Sequence, residues 1–364
     1  MKPRVAVVLS GFGVVPRGAE TMLAELLPRL EDRFDLHVYS RSGQGPGGVA
    51  RPAIPRSALE RLYLATSWGR KVLDTLYLDP IHVEWTSHLL FSLPALLRGR
   101  YQVIWHETGF WGGLLLSAVR RLTGARLLDY THSNHPGWEI PFARRRPDIL
   151  VTANPQLAET VRAEVPGLRV EVVAQGVDGE LFRPGADVLN LEVARPVALF
   201  VGALSPEKRP DLALEAAAMS GMSIVVAGSG PLAGEIDALA ASTLGLDRYR
   251  RLEIDRQDLP QLYAAADVVI LSSPLESGAL AILEAMACNR PVVTAADGIR
   301  RELVGDAGVL VEEQTAIAYA TGLTEALNGN WGDRPRQRAL TYSLDRQAQT
   351  FGDLIADLAG EPLP

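Results

Sequence analysis

The chain has 364 residues, 47% of them hydrophobic, 22% charged and 6% aromatic, with a net charge of −7. That length suggests two domains, and that composition excludes a disordered or collagen-like chain. A single cysteine, Cys288, excludes an intrachain disulfide and a cysteine zinc cluster.

In chain order, strands are predicted at residues 5–9, 34–39, 101–105, 125–130, 148–153 and 170–174. Helices are predicted at 18–30, 110–122 and 155–165. The five apolar residues at 5–9 are too few for a signal-peptide core. The apolar run at 89–97, broken by Pro94, is far short of the roughly 18–20 residues of a membrane span. A cytoplasmic protein is therefore expected, at the inner face of a membrane if it meets one. A Gly- and Pro-rich loop at 41–57 leads into an amphipathic helical stretch at 57–78, with Arg56, Arg61, Arg70 and Lys71. That stretch reads as a domain wall with a solvated face, or as a surface for a membrane or an acceptor.

Residues 183–196, with two prolines and a glycine, suit a linker. The alternation then restarts, with strands at 197–201, 223–227, 267–271 and 291–294 and helices at 211–219, 234–244, 259–265 and 279–288. A last helix at 345–358 is expected to pack back on the first domain. The expected division is 1–185, 186–340 and a returning segment 341–364. Alternating strands and helices imply two α/β, doubly wound parallel sheets, with ligands at the carboxyl ends of the strands and a cleft between the domains. Residues 1–186 carry a charge of +4 and the remainder −11. Two domains with different surfaces explain this, as does an anionic partner of the first half.

Several strand-to-helix loops carry candidate chemistry. The loop 11–18, Gly-Phe-Gly-Val-Val-Pro-Arg-Gly, lets backbone approach an anion at a helix start, yet fits neither the dinucleotide nor the Walker spacing. Lys208 is one of only three lysines, with Lys2 and Lys71, and stands in such a loop at 201–210. A compact ammonium there suits phosphate. Gly228-Ser229-Gly230-Pro231 forms another close-approach turn, for geometry or for a ligand.

The sharpest group is 273–287, with Glu276 in a loop and Glu284 on an otherwise apolar helix. A carboxylate at Glu284 needs partners, and sugar or ribose hydroxyls would serve. Between the two, the N–H groups of Gly278, Ala279 and Leu280 suit a diphosphate. All six histidines, at 37, 82, 88, 106, 132 and 135, lie in the first half. His106 and His132 end predicted strands, where ligand-facing residues belong, whereas His37 reads as structural. A metal at His132 and His135 is not expected. Trp85, Trp105, Phe110, Trp111 and Trp138 supply aromatic surface for a sugar or lipid, or core.

In these motifs the sequence resembles the retaining GT-B glycosyltransferases of family 4 (glycosyl transferases group 1). The likeness rests on Val201-Gly-Ala-Leu-Ser-Pro-Glu-Lys208, the Gly-Ser-Gly-Pro turn, and Leu262-Tyr263 through Ala266-Asp267-Val268. It extends to Glu276 and Glu284 with seven residues between them, Pro291-Val292-Val293, and Gln175-Gly176-Val177-Asp178 with Phe182 and Pro184. In the first half it is carried by Gly18-Ala19-Glu20, His106-Glu107 and Thr131-His132.

The resemblance implies two Rossmann-like domains facing a central cleft. It implies that Lys208 holds the donor diphosphate, Glu276 the donor sugar and Glu284 the ribose, with Gly278, Ala279, Leu280, Gly230 and Gly18 approaching the phosphates. His132 would lie beside the sugar and the acceptor, and Ile254 and Asp255 near the base. Ala203 stands where the family usually has Arg, so either Arg209 would substitute or donor binding would be weaker; Arg17 stands where a Gly is usual.

The implied reaction moves a sugar from a UDP- or GDP-sugar to an acceptor with retention. No cofactor or metal is expected, because Lys208 and helix N-termini meet the phosphate charge and no Asp-x-Asp occurs. The acceptor would be a small molecule, glycan or lipid-linked group on the first domain, which also leaves peripheral membrane contact open. No nucleic acid is expected. The alternatives are a sugar-nucleotide epimerase or phosphorylase on the same fold, and a non-catalytic sugar-nucleotide-binding protein.

Overall fold

The structure is a computed structural model that describes residues 2–14, 18–64, 67–107, 109–132, 136–245, 247–276 and 278–360. Arg17, His135 and Ser277 lie outside the described residues, as does the side chain of Arg61. The chain divides into two compact units, Met1–Ala174 with Asp345–Pro364, and Gln175–Leu344. Residues 175–182, placed before the linker by sequence, fall in the second unit. There Val177 bridges Ser343 and, with Phe182, enters the core.

The first unit holds a seven-stranded parallel sheet. Its strands are β1 (Arg4–Val8), β2 (Asp35–Ser40), β3 (Val49–Ala50), β4 (Val103–His106), β5 (Arg126–Thr131), β6 (Ile149–Thr152) and β7 (Val170–Val172). Their order is β3-β2-β1-β4-β5-β6-β7. The second unit holds a six-stranded parallel sheet of β8 (Val197–Val201), β9 (Ser223–Ala227), β10 (Tyr249–Leu252), β11 (Val268–Leu271), β12 (Val292–Ala295) and β13 (Val309–Val311). Its order is β10-β9-β8-β11-β12-β13. The strand order therefore reverses between β1 and β4 in one sheet and between β8 and β11 in the other.

The sequence of β8 shows why these strands are continuous apolar runs. Side chains alternate faces with period two. Val197 and Leu199 enter a core cluster with Leu283 and Met286, and Ala198 and Phe200 enter another with Leu214 and Leu323. A parallel sheet covered on both faces favours apolar side chains at successive positions.

Some helices depart from the sequence pattern. The stretch at 57–78 is two helices, Arg56–Leu64 and Ser67–Thr75. The apolar run around Pro94 belongs to a 19-residue helix, Pro80–Arg98, capped by the Asp79 carboxylate on the N–H groups of Ile81 and His82. After β12 come Gly298–Val304, Ala316–Asn328 and Arg334–Leu340, which periodicity did not indicate. Among the described residues no helix is long and apolar enough to cross a membrane.

Helix Leu344–Ala359 completes the first unit. Phe351, with no exposed surface, stacks on Trp105 at 4.7 Å and meets Tyr130 edge-on at 5.1 Å. Asp345 pairs with Arg29 at 2.8 Å and Asp353 with Arg33 at 2.9 Å. Such exposed pairs contribute little, so the aromatic stack dominates this contact. Phe351→Ala is expected to lower unfolding free energy by about 3–5 kcal/mol, measured by urea denaturation. The aromatic tier is not the main fastening if the loss is below about 1 kcal/mol.

Candidate active site

In open parallel sheets, the loops that follow the strands on either side of an order reversal part from each other and leave a ligand crevice. In the second unit those loops follow β8 and β11. The first carries Lys208 and the second Glu276, and the structure brings them together. The Lys208 Nζ donates to both carboxylate oxygens of Glu276, at 2.7 and 2.8 Å. The Ser273 hydroxyl donates to the same carboxylate at 2.6 Å. Ser272, with no exposed surface, donates to the backbone oxygen of Arg209 at 2.6 Å, which ties the two loops together. Lys208 keeps about a third of its side chain exposed, whereas Glu276 is nearly covered.

The other phosphate candidates sit around this pair. Helix Leu280–Ala287 starts four residues after Glu276, behind Ala279 in the left-handed region with φ 51°. Gly278 is closed in by Gln175: a Cβ there would lie 2.1 Å from the Gln175 side chain. Gln175 is itself buried, and its Oε1 has no partner among the described residues. Sequence reasoning treated Gln175 only as part of a motif.

A Cβ on Gly230 would meet the Leu204 oxygen at 2.4 Å, and one on Gly228 the Gly202 oxygen at 1.9 Å. Close packing of the loops after β8 and β9 therefore accounts for both glycines. Arg209 turns away to its own helix, where its Nε donates to Asp211 at 3.0 and 3.1 Å. Ala203 is exposed.

Glu284 is 3% exposed, and protein groups meet its need for partners. Tyr263 donates its hydroxyl at 2.9 Å, and the Arg256 guanidinium forms an ion pair with the carboxylate. Arg256 also lies over the Phe182 ring, 5.0 Å from its centre. Burial, then the neighbouring Glu284 charge, holds the Tyr263 phenol well above its usual pKa, so it stays a donor. Arg256 and Tyr263 carried no role in the sequence reading. Arg256 adjoins Asp255, the position placed near the base, but its link to Glu284 spans 28 residues and leaves no local signal.

Gly18 and His132 belong to the first unit. Gly18 opens helix Gly18–Leu26, and a Cβ there would meet nothing within 4 Å. No steric need in the described protein explains that glycine. His106 ends β4 in register with Asp129 of β5, with Nδ1 3.6 Å from the carboxylate. His132 directly follows β5 and packs edge-on against Tyr130 at 4.2 Å. Burial pushes both histidines down to about 3 and Asp129 well up, so both rings are neutral at pH 7.

Of the aromatic candidates, Trp105 is core under Phe351, whereas Trp111 and Trp138 are exposed. Phe110 stacks on Tyr77 at 4.8 Å beneath the Arg145 guanidinium. His37 lies within β2, beside Arg4 and Asp35. Among the described residues no group of three or more His, Cys, Asp or Glu is placed to hold a metal ion.

Two stability outcomes follow from this chemistry. Tyr263→Phe removes a buried donor from Glu284 and is expected to cost about 1–3 kcal/mol in urea unfolding. The folded-state pKa of His106, about 3, is below its ordinary value of 6.5. The unfolded chain therefore takes up the proton first, and this contribution to stability is full above pH 6.5 and declines as pH falls from there toward 3. Asp129, with its pKa raised, acts in the opposite sense in wild type and variant alike. His106→Asn should flatten the decline of unfolding free energy below pH 6.5. An unchanged slope would mean that the ring takes up its proton freely in the folded protein.

Comparison with known proteins bears on both units. Residues 185–343 match the family described as glycosyl transferases group 1. The chain is 38% identical over 189 residues to the D-inositol 3-phosphate glycosyltransferase of Frankia alni, across 46% of each chain. It is 38% identical over 197 residues to the protein of that name from Mycobacterium tuberculosis, across 50% of this chain and 41% of that one. The matched stretch is thus less than half the length of these curated relatives.

Among solved structures, sucrose-phosphate synthase from Thermosynechococcus elongatus superposes with a TM-score of 0.78 at 19% identity, over 99% of this chain and 100% of that one. Anabaena HepE in complex with UDP and glucose superposes at 0.72 and 16% identity, over 98% and 100%. The fold is therefore the α/β, two-sheet Rossmann-like fold of GT-B glycosyltransferases, and residues 185–343 within it match the glycosyl transferases group 1 family.

Proposed function

We propose that the chain is a retaining, metal-independent glycosyltransferase that takes a sugar from a nucleotide diphosphate sugar. The observation that carries this reading is the Lys208–Glu276 pair, set at the strand-order reversal four residues before a helix start. An ammonium and helix N–H groups suit a diphosphate, and a carboxylate beside them suits sugar hydroxyls. UDP is the favoured nucleotide, because HepE is described with UDP and glucose.

As the glycosidic bond loosens, negative charge grows on the leaving diphosphate. Lys208 and the N–H groups at the start of helix Leu280–Ala287 would meet that charge without reorganisation. Glu276, held by Lys208 and Ser273, would accept hydrogen bonds from the sugar, and Glu284, held by Arg256 and Tyr263, from the ribose. Gly278 and Ala279 would admit the phosphates close to backbone. The first unit would take the acceptor, a sugar or glycan hydroxyl, with His132 and Gly18 as its proposed binding residues. In this reading the protein is cytoplasmic, and any membrane contact is peripheral and made by the first unit.

A non-catalytic nucleotide-sugar binder is the second reading. It is favoured by Arg209, which pairs with Asp211 where the resemblance required a substitute guanidinium.

Thermal unfolding with UDP and a panel of UDP-sugars tests binding. Ligand at 100 times its Kd should stabilise the fold by about 2.7 kcal/mol, and Lys208→Ala should abolish the shift. Glu276→Ala should slow transfer by roughly 10²–10³-fold, and transfer should persist in EDTA with the anomeric configuration retained. UDP binding without any transfer selects the second reading. Transfer undiminished in Glu276→Ala, or lost in EDTA and restored by magnesium, overturns the first.

A further inference from the structure

Arg300 is fully buried, a rare state for a guanidinium. It stands in the short helix Gly298–Val304 that follows β12, and its donors converge chiefly on two places. One is Asp297, which accepts from Nε at 2.9 Å and pairs with the guanidinium at 2.6 Å. The other is the backbone of the loop after β11. There one terminal nitrogen donates to the Ser273 carbonyl at 2.7 Å and the other to the Pro274 carbonyl at 3.0 Å. The Thr294 hydroxyl, on β12, lies 3.3 Å from the first nitrogen.

The clamped residues lie three and two positions before Glu276, and Ser273 also donates its hydroxyl to that carboxylate. Ser272, one residue earlier, holds the Arg209 backbone beside Lys208. The loop is thus fixed from the helix after β12 on one side and from the loop after β8 on the other.

Burying a guanidinium is costly, and a hydrophobic side chain would fill this space at less expense. What the guanidinium supplies is a planar fork that holds two successive carbonyls and one carboxylate at once. Lysine, a single point charge, cannot reproduce it. We infer that Arg300 is a positioning residue: by fixing the Ser273–Pro274 backbone it sets the Glu276 carboxylate against Lys208, ready for the donor sugar. The inference rests on the proposed reading of Glu276 as the sugar-contacting group. A group held within about 0.5 Å of its working place depends on such supporting bonds.

The test is Arg300→Lys in the full chain, with UDP and a turned-over UDP-sugar as probes. The UDP Kd should stay within about threefold of wild type, because Lys208 and the helix start remain. The kcat for transfer should fall by roughly 10–100-fold, the scale of a small misplacement. A readout without turnover accompanies it, the coupling between Lys208 and Glu276 from a double-mutant cycle on urea unfolding, Lys208→Met with Glu276→Gln. That coupling should shrink at least twofold in the Arg300→Lys background. If Arg300→Lys does not fold, Asp297→Asn, which loosens the carboxylate that orients the guanidinium, carries the same measurements, with the same direction and a smaller size.

The positioning role is overturned if the coupling is unchanged, or if kcat stays within twofold of wild type. It is also overturned if UDP affinity falls in proportion to kcat, because the residue would then serve the whole unit. A wild-type protein that neither binds UDP nor turns over any UDP-sugar, with the coupling still lost in the variant, sinks the proposed function and leaves Arg300 as the holder of Glu276.

Discussion

An ammonium within 2.8 Å of both oxygens of one carboxylate joins two loops that the topology alone would leave apart. The loops after β8 and β11 leave neighbouring strands at the point where the strand order reverses, and their helices depart in different directions. The Lys208–Glu276 pair spans that divergence. Its electrostatic contribution to stability is modest, since Lys208 is about a third exposed and solvent screens the charge. Its consequence is geometric, because it gathers a cation, an anion and a helix start in one place although Lys208 and Glu276 are 68 residues apart in the chain.

The same logic recurs one layer deeper. Glu284 rests on an apolar helix, with Arg256 from the loop after β10 and Tyr263 from the helix Leu259–Ala265 as its partners. Arg300 holds the Glu276 loop from the helix Gly298–Val304. Each carboxylate therefore meets at least one positive or hydroxyl donor from a different element. An unsatisfied carboxylate at either place would be expensive, so these side chains are fixed before any ligand arrives.

Much of the fold can be read from the sequence, because buried parallel strands are uninterrupted apolar runs. β8 and β9 stand where the pattern placed them, and so does helix Leu259–Ala265. The strands that the pattern passed over are all at sheet edges: β3 has two residues, β13 three, and β10 carries Arg250 and Arg251. Edge strands need fewer apolar residues, and charge protects them from pairing with other chains. Helix Pro80–Arg98 was hidden by Pro94, although Asp79-Pro80 is a regular helix start. At the site, Lys208 and Glu276 were visible as unusual residues in strand-to-helix loops. Arg256, Tyr263, Gln175 and Arg300 were not, because their partners are reached only through the folded chain.

The path of the chain carries one more consequence. The second unit is a continuous stretch, Gln175–Leu344, whereas the first is completed only by helix Leu344–Ala359. On a ribosome, the later unit is therefore whole while the earlier one still lacks Phe351 over Trp105. The usual order of vectorial folding, amino-terminal part first, is reversed for the sealing of these cores. Until the last helix emerges, an apolar indole face of the nascent chain stays uncovered, which makes it a natural place for a chaperone to hold.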